Sequence, residues 1–257
     1  MTRVAIAGAL GRMGTILCRM AAESGTLDLA GGIDVRAGTQ FGAPVVASGD
    51  LGSFLDQERP DVLVDFTVAA AAVGTIRTAA EHGVALVVGT TGFSAAQEAA
   101  NREAIEGRVP AVISSNYAIG VNVLWQLVRQ AAPLLPGYDI EVIEAHHRYK
   151  KDAPSGTAKT ILAVLDGAIG ARETKYGREG MDERGTEIGV HAVRGGDIVG
   201  DHEVLFAGNF ETVSLSHRAY DRAVFATGAL RAAEWVVGRP PGVHTFAEVL
   251  GLPAPVS

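Results

Sequence analysis

The chain has 257 residues, enough for one large domain or two modest ones, and 47% apolar with 20% charged residues is the balance of an ordinary soluble globular protein. A formal net charge of −7 argues against a general nucleic-acid binder, though a local cation cluster can still hold a small anion. The single cysteine, Cys18, excludes an internal disulfide and a cysteine-rich zinc site; with no signal-peptide pattern and no apolar run of about 18 residues, a cytoplasmic protein without a membrane span is expected.

Residues 4–7 form a short apolar run that enters Gly8-Ala9-Leu10-Gly11-Arg12-Met13-Gly14, and residues 12–24 have helical composition. A strand, a glycine turn and a helix in succession set a pyrophosphate on backbone N–H groups at the helix start, which makes Gly8, Gly11, Arg12, Met13 and Gly14 candidates for cofactor binding. The spacing is G-x-x-G-x-x-G rather than the commoner G-x-G-x-x-G, so a tight turn needing glycines for packing also fits. Asp34 lies twenty residues after Gly14, at the end of a second strand over 29–33. An acid there suits the adenine-ribose hydroxyls of NADH, while Arg36 and Arg12 suit the 2′-phosphate of NADPH. Use of both cofactors is therefore expected, with a turn-capping role for Asp34 as the alternative.

Further strands are expected at 62–66, 86–88 and 111–113, alternating with helices at 69–82 and 94–106. This alternation predicts an α/β, Rossmann-type doubly wound parallel sheet. Ligands bind outside the carboxyl ends of such strands. That position belongs to Asp65-Phe66-Thr67, Gly89-Thr90-Thr91-Gly92 and Ser115-Asn116-Tyr117. Phe66, Thr67, Gly89, Thr90, Thr91, Ser115, Asn116 and Tyr117 are thus candidates for the nicotinamide end, and each segment also reads as a simple turn.

The pattern changes near Tyr117. A helix over 121–132 stops before Pro133 and Pro136, another spans 155–169, and strand-like runs succeed them at 187–194, 203–208 and 211–219. These predict an inserted α+β domain with a mixed or antiparallel sheet. The polar, Gly-rich stretch 174–186 is expected to be a mobile loop. A helix over 224–237 is expected to return to the first domain, giving a dinucleotide-binding domain of 1–117 and 225–257 and an inserted domain of 118–224 that carries the segment 144–158.

The inserted part contains E-A-H-H-R-Y-K-K-D-A-P-S-G-T-A at 144–158. Imidazole exchanges protons near neutral pH, Lys and Arg hold carboxylates, and a Ser-Gly-Thr turn opening a helix offers hydroxyls and N–H groups to an anion. The segment reads as a site for a small, multiply anionic substrate that also receives a proton. A His-His pair without an H-x-x-x-H or cysteine partner does not make a metal site, and none is expected. His202, His217 and His244 read as structural hydrogen-bonding groups, and Arg194 and Asp197 as parts of a turn or subunit contact.

Taken together, G-A-L-G-R-M-G, D-F-T, G-T-T-G, S-N-Y-A-I-G-V-N, the 144–158 segment, R-G-G-D-I-V-G-D-H-E-V and the stretch 217–229 resemble the 4-hydroxy-tetrahydrodipicolinate (dihydrodipicolinate) reductase family, in the expected order and over most of the chain. The resemblance implies NAD(P)H-dependent reduction of a cyclic dicarboxylate in diaminopimelate and lysine synthesis, and a homotetramer. It implies that His146 and Lys150 are catalytic and that His147, Ser155, Gly156 and Thr157 bind substrate carboxylates. Val68 departs from the pattern, because some members carry a basic residue there that helps hold the cofactor. Two rivals remain: another Rossmann oxidoreductase acting on a small anion, and a redox-sensing NAD(P)-binding regulator without turnover.

Overall fold

The computed structural model describes residues 1–253, and the chain divides into two compact units. The first comprises Met1–Ala118 and Ala223–Leu252; the second comprises Ile119–Arg222 with Pro253. Pro253 thus groups with the second unit rather than the first, and 254–257 lie outside the described residues.

In chain order the first unit contains β1 (Thr2–Ala7), α1 (Arg12–Ala22), β2 (Leu27–Asp34), β3 (Gly38–Gln40), β4 (Ala43–Ala47), α2 (Leu51–Glu58), β5 (Val62–Asp65), α3 (Ala69–Glu81), β6 (Ala85–Val88), α4 (Ala95–Ile105) and β7 (Pro110–Ile113). The second holds α5 (Ile119–Ala131), β8 (Asp139–His146), α6 (Gly156–Ile169), β9 (Thr174–Tyr176), β10 (Ile188–Arg194), β11 (Gly200–Ala207) and β12 (Thr212–Ala219). The chain then returns to the first unit through α7 (Ala223–Val236), β13 (Gly242–His244) and α8 (Phe246–Val249).

The first sheet has the order β13-β7-β6-β5-β1-β2-β4-β3, parallel except for the β3–β4 pair. Its central strands are covered on both faces, which is why they read as unbroken apolar runs: Val4, Ala5, Ile6, Val62, Leu63 and Val64 are all fully buried. On α7 the packing residues are small. A Cβ at Gly228 would overlap the Tyr117 carbonyl oxygen, so only glycine lets the helix rest on the backbone after β7. The elements β3, β4, α2, β13 and α8 are additions to the expected alternation. Three of them are only three or four residues long and leave no periodic mark.

The second unit has a mixed sheet, β12-β11-β8-β10-β9, with β11 antiparallel to both neighbours. The strand β8 alternates strictly: Ile140, Val142, Glu144 and His146 are buried, while their odd-numbered neighbours are not. Leu124 and Val128 of α5 and Ile161 and Leu165 of α6 pack on the buried face with Ile140, Val142 and Phe206. Two of the four inward positions on β8 are therefore polar, in a row otherwise made of hydrocarbon.

The stretch expected to be a mobile loop is built differently. Thr174–Tyr176 pairs with β10 as the edge strand β9. The chain between β9 and β10 is tied down by ion pairs of Lys175 with Asp182, Arg178 with Glu187, and Arg184 with both Asp139 and Glu141. Charge pairing across distant positions gives a polar, Gly-rich sequence an ordered path that composition does not reveal. No helix of the described residues is long and apolar enough to cross a membrane.

Candidate active site

In the first unit the carboxyl ends of β1, β2 and β5 open on a cleft of about 830 Å³. The glycine turn forms one side. Gly8 has φ +79°, a conformation that favours glycine, and its N–H donates to the Ile33 carbonyl at 2.8 Å. A Cβ at Gly14 would overlap the Gly8 carbonyl oxygen and lie 2.7 Å from the Ala9 Cα, so the third glycine is what lets α1 approach the turn. Gly11 is the N-cap of α1 and no side chain caps the helix there, which leaves its first turn suited to an anion.

Asp34 stands on the same cleft and also braces the turn, accepting from the Leu10 N–H at 2.8 Å and the Val35 N–H at 2.7 Å. Of the expected cofactor residues, Gly8, Gly11, Asp34, Arg36, Phe66 and Thr67 line the cleft. Arg12, Thr91 and Ser115 are exposed outside it, Met13 is half-buried, and Gly14 is buried in packing. Asn116 is buried and turns its Oδ1 to the Ala118 N–H at 2.8 Å. Tyr117 is 1% exposed, with its hydroxyl 2.8 Å from the Val112 carbonyl and 3.0 Å from that of Val88. Its side chain is thus a strut within the unit, with no face left for a ligand.

Sequence reading missed one wall. Ala71, Gly74, Thr75 and Thr78 of α3 line the cleft together with Ser48 and Gly49. The spacing 71, 74, 75, 78 is one face of a helix, and its small residues were the available signal.

Asp65 ties two βα loops together. It is fully buried, and its Oδ1 accepts from the Thr90 hydroxyl at 2.6 Å, the Thr67 hydroxyl at 2.8 Å and the Thr67 N–H at 3.0 Å. Burial raises its carboxyl above the ordinary value despite these donors. Gly89 is needed because a Cβ there would overlap the Phe66 ring.

The second unit gathers charged side chains instead. Glu144 and His146 lie two apart on β8, so both point to the helix-covered face. Glu144 is fully buried. Its Oε1 accepts from Arg194 Nη2 at 2.7 Å and the Ser155 N–H at 3.0 Å; its Oε2 accepts from Arg194 Nη1 at 2.8 Å and lies 2.6 Å from His146 Nδ1. Arg194 therefore does more than shape a turn, correcting the reading from sequence. It forks onto a carboxylate fifty positions away and also donates to the Asp152 carbonyl at 2.7 Å.

Lys150 Nζ sits 2.8 Å from Asp152 Oδ1. His147 lies past the strand end and is half-exposed, with its ring centroid 6.2 Å from that of Tyr149. Ser155 has structural partners of its own. It is 1% exposed, its N–H goes to Glu144, and its Oγ accepts from the Ala158 N–H at 3.2 Å as the N-cap of α6 and lies 3.2 Å from His202 Nε2. Both groups that were to grip a carboxylate are committed inward. Gly156 is exposed and Thr157 buried in the first turn of α6.

Burial pushes His146 below its ordinary value, with Lys150 and Arg194 acting the same way, and together they outweigh the opposing pull of Glu144. Burial carries His202, edge-on to His146 at 5.1 Å, down to about 3, so it is neutral at physiological pH. For Glu144, burial acts upward but Arg194 and His146 prevail and hold it below the usual carboxylate range. The cluster thus presents an ionised carboxylate, a fixed guanidinium and an imidazole able to change charge.

A family model for the N-terminus of dihydrodipicolinate reductase matches residues 2–117, and one for its C-terminus matches 120–250. The chain belongs to the dihydrodipicolinate reductase family. The 4-hydroxy-tetrahydrodipicolinate reductase of Methanoregula boonei is 63% identical over 98% of this chain and 99% of its own length, and that of Methanoculleus marisnigri is 62% identical over 98% and 100%. A dipicolinate-bound dihydrodipicolinate reductase from Paenisporosarcina sp. TG-14 superposes with a TM-score of 0.80 at 25% identity, covering 96% of this chain and 98% of that one. GenD2 from gentamicin A biosynthesis, in complex with NAD, shares the fold alone, with a TM-score of 0.64 at 16% identity over 97% of this chain and 90% of its own. Membership of this family makes the chain an oxidoreductase of the NAD(P)H-dependent kind, with a Rossmann-type unit and a second mixed-sheet unit.

Proposed function

We propose that the protein reduces 4-hydroxy-tetrahydrodipicolinate to tetrahydrodipicolinate with NADH or NADPH, in diaminopimelate and lysine synthesis in the cytoplasm. The observation that carries the reading is an imidazole, His146, held in a buried polar cluster with the Lys150 charge acting on it. The resemblance of the 144–158 segment assigns that place to the proton donor. On this reading the first unit is the dinucleotide-binding domain, and its glycine-turn cleft holds the cofactor through Gly8, Gly11, Asp34, Arg36, Phe66 and Thr67. Arg12, Met13, Gly14, Gly89, Thr90, Thr91, Ser115, Asn116 and Tyr117 shape or flank that place. The second unit binds the substrate and builds a homotetramer through the face of its sheet away from α5 and α6.

The nicotinamide, when bound, supplies a hydride to an electron-poor ring carbon conjugated to an imine. Negative charge developing on the nitrogen side must then be met by a proton. His146 delivers it, and the Lys150 ammonium stabilises the developing charge. His147, Gly156 and Thr157 contact the substrate carboxylates. Ser155 supports them from behind by starting α6 and locking it to Glu144.

The test is the loss of reduced-nicotinamide absorbance with freshly generated substrate. The wild-type protein turns over, and His146→Gln and Lys150→Ala each lower kcat by about two orders of magnitude. Near-normal kcat in both variants would remove the mechanism. A planar pyridine dicarboxylate is expected to compete with substrate, and light scattering to give the mass of four chains. Comparable KM values for NADH and NADPH are expected from Asp34 and Arg36 on one cleft; strong exclusion of NADH would detach Asp34 from the ribose.

A further inference from the structure

The ion pair beneath His146 is an expensive way to build a β-strand. Removing the Glu144 carboxylate from water is costly even with the partly exposed Arg194 guanidinium against it, and packed hydrocarbon of similar volume is often at least as stable. The neighbouring inward positions of β8, Ile140 and Val142, are hydrocarbon. Glu144 and Arg194 therefore call for a reason beyond packing, and the geometry supplies one. Three elements converge on one carboxylate: β10 through Arg194, the start of α6 through the Ser155 N–H, and the end of β8 through His146.

We propose that Glu144 and Arg194 are positioning residues that fix His146 as the Nδ1–H tautomer, so that Nε2 is the atom that gives up the proton during turnover. The carboxylate is acceptor-only, so the group 2.6 Å from it on the imidazole is Nδ1–H in both charge states. Arg194, with both terminal nitrogens on the two oxygens, holds the carboxylate plane in one orientation and keeps it ionised. When the Nε2–H bond of the imidazolium breaks, its electron pair stays on Nε2 and the proton passes to the reduced substrate. The ring is left neutral with Nδ1–H still on Glu144, and water restores the Nε2 proton.

The groups facing His146 suit this role. From β10 comes the Arg194 cation, from the chain after β8 the Lys150 cation paired to Asp152, and from β11 the neutral His202, against which the Ser155 hydroxyl at the start of α6 lies. Among the described residues Glu144 is the one anion paired with the ring, and its charge is shared with Arg194. It aligns the imidazole without holding the transferable proton.

The inference rests on the reading of His146 as proton donor, and the experiment separates the two. Full-length protein carrying ¹⁵N-labelled histidine is compared as wild type, Glu144→Gln, Arg194→Lys and His146→Gln, reading imidazole nitrogen shifts, kcat, KM and NADPH affinity. The wild type is expected to show Nδ1–H, Nε2-bare imidazole for His146 above its titration. Glu144→Gln is expected to lose that signature and to lower kcat about a hundredfold, the scale of a misplaced catalytic group, with NADPH affinity within about twofold. Its kcat–pH limb should move to lower pH, because removing the anion favours neutral imidazole. Arg194→Lys keeps the charge without the fork and should fall between wild type and Glu144→Gln. An Nε2–H signature in the wild type, or unchanged kcat and pH limb in Glu144→Gln, overturns the proposal. Should Glu144→Gln fail to fold, the wild-type signature and Arg194→Lys still decide. An active His146→Gln instead sinks the proton-donor reading while leaving the tautomer assignment standing.

Discussion

In the first unit the walls of the cleft are backbone, apolar side chains such as Leu10, Ile33, Leu51 and Phe66, small residues and hydroxyls, with Asp34 and Arg36 the charged groups among them. In the second unit the polar cluster is a knot of ionised or ionisable side chains: Glu144, Arg194, His146, Lys150 and Asp152. One region controls where atoms sit by leaving room for them, the other by placing charge against charge. The first kind of site is sensitive to added volume, the second to the proton balance.

Volume gives the largest expected contrast. Gly14→Ala forces a methyl onto the Gly8 carbonyl, a rigid obstacle, and should abolish NADPH binding or soluble expression altogether. Gly156→Ala in the second unit meets nothing within 4 Å and gains helix propensity, so its melting temperature should equal or exceed that of wild type. If both alanines behave alike in thermal melts and NADPH titration, the contrast is wrong.

Acid should separate the units next. Burial lowers His146, His202 and His217 in their folded state, so the unfolded chain binds more protons below the ordinary histidine value of 6.5. Their contribution is complete above that pH and is lost as pH falls towards the folded values. For His202, which titrates at about 3, the loss runs at about 1.4 kcal/mol per pH unit between roughly pH 6 and 4. Asp65 has the opposite sign: its raised folded value means that folding takes up a proton, so the contribution of this group grows as pH falls. Hydrogen exchange tracked from neutral to mildly acidic pH should show β8, β11 and β12 losing protection before β5 and β6. Loss in the reverse order would refute the assignment.

The smallest expected effect lies at Asp65, where the first unit, like the second, ties segments together through a buried carboxylate. Thr90→Val removes a hydroxyl donor from Asp65 without changing shape. At about 1–2 kcal/mol for a hydrogen bond to a buried acidic group, the KM for NADPH should rise roughly five- to thirtyfold with kcat nearly constant. An unchanged KM would mean that the Thr67 and Thr90 loops keep their places without this link.

The same difference explains how much of the molecule was legible in the sequence. A steric demand leaves a mark at one position, because no other residue fits at Gly8 or Gly14; the nucleotide unit was therefore readable from its glycines. The segment 144–158 was legible as a polar cluster because its imidazoles, cations and helix start are contiguous. Arg194 was not, since its partner lies fifty residues back in sequence and the R-G-G-D context resembles an ordinary turn. The capping role of Ser155 was not separable in sequence from a ligand-binding one, because both put a serine at a helix start. Tyr117, placed at a strand end, read as a cofactor contact, whereas its ring fills the interior against Phe66 and Phe246. The wall formed by α3 lacks any reactive group, and small residues on a helix ordinarily signal packing.

Because Glu144 is at once the partner of β10, the anchor for the start of α6 and the acceptor beneath His146, completing the tertiary structure of this unit and arming its imidazole are one event. On the mechanism proposed above, a molecule whose second sheet has not closed on β10 has no aligned donor to offer. At fixed pH and temperature, a weakened core should then lower the number of working molecules in a sample while leaving the turnover rate of each survivor unchanged.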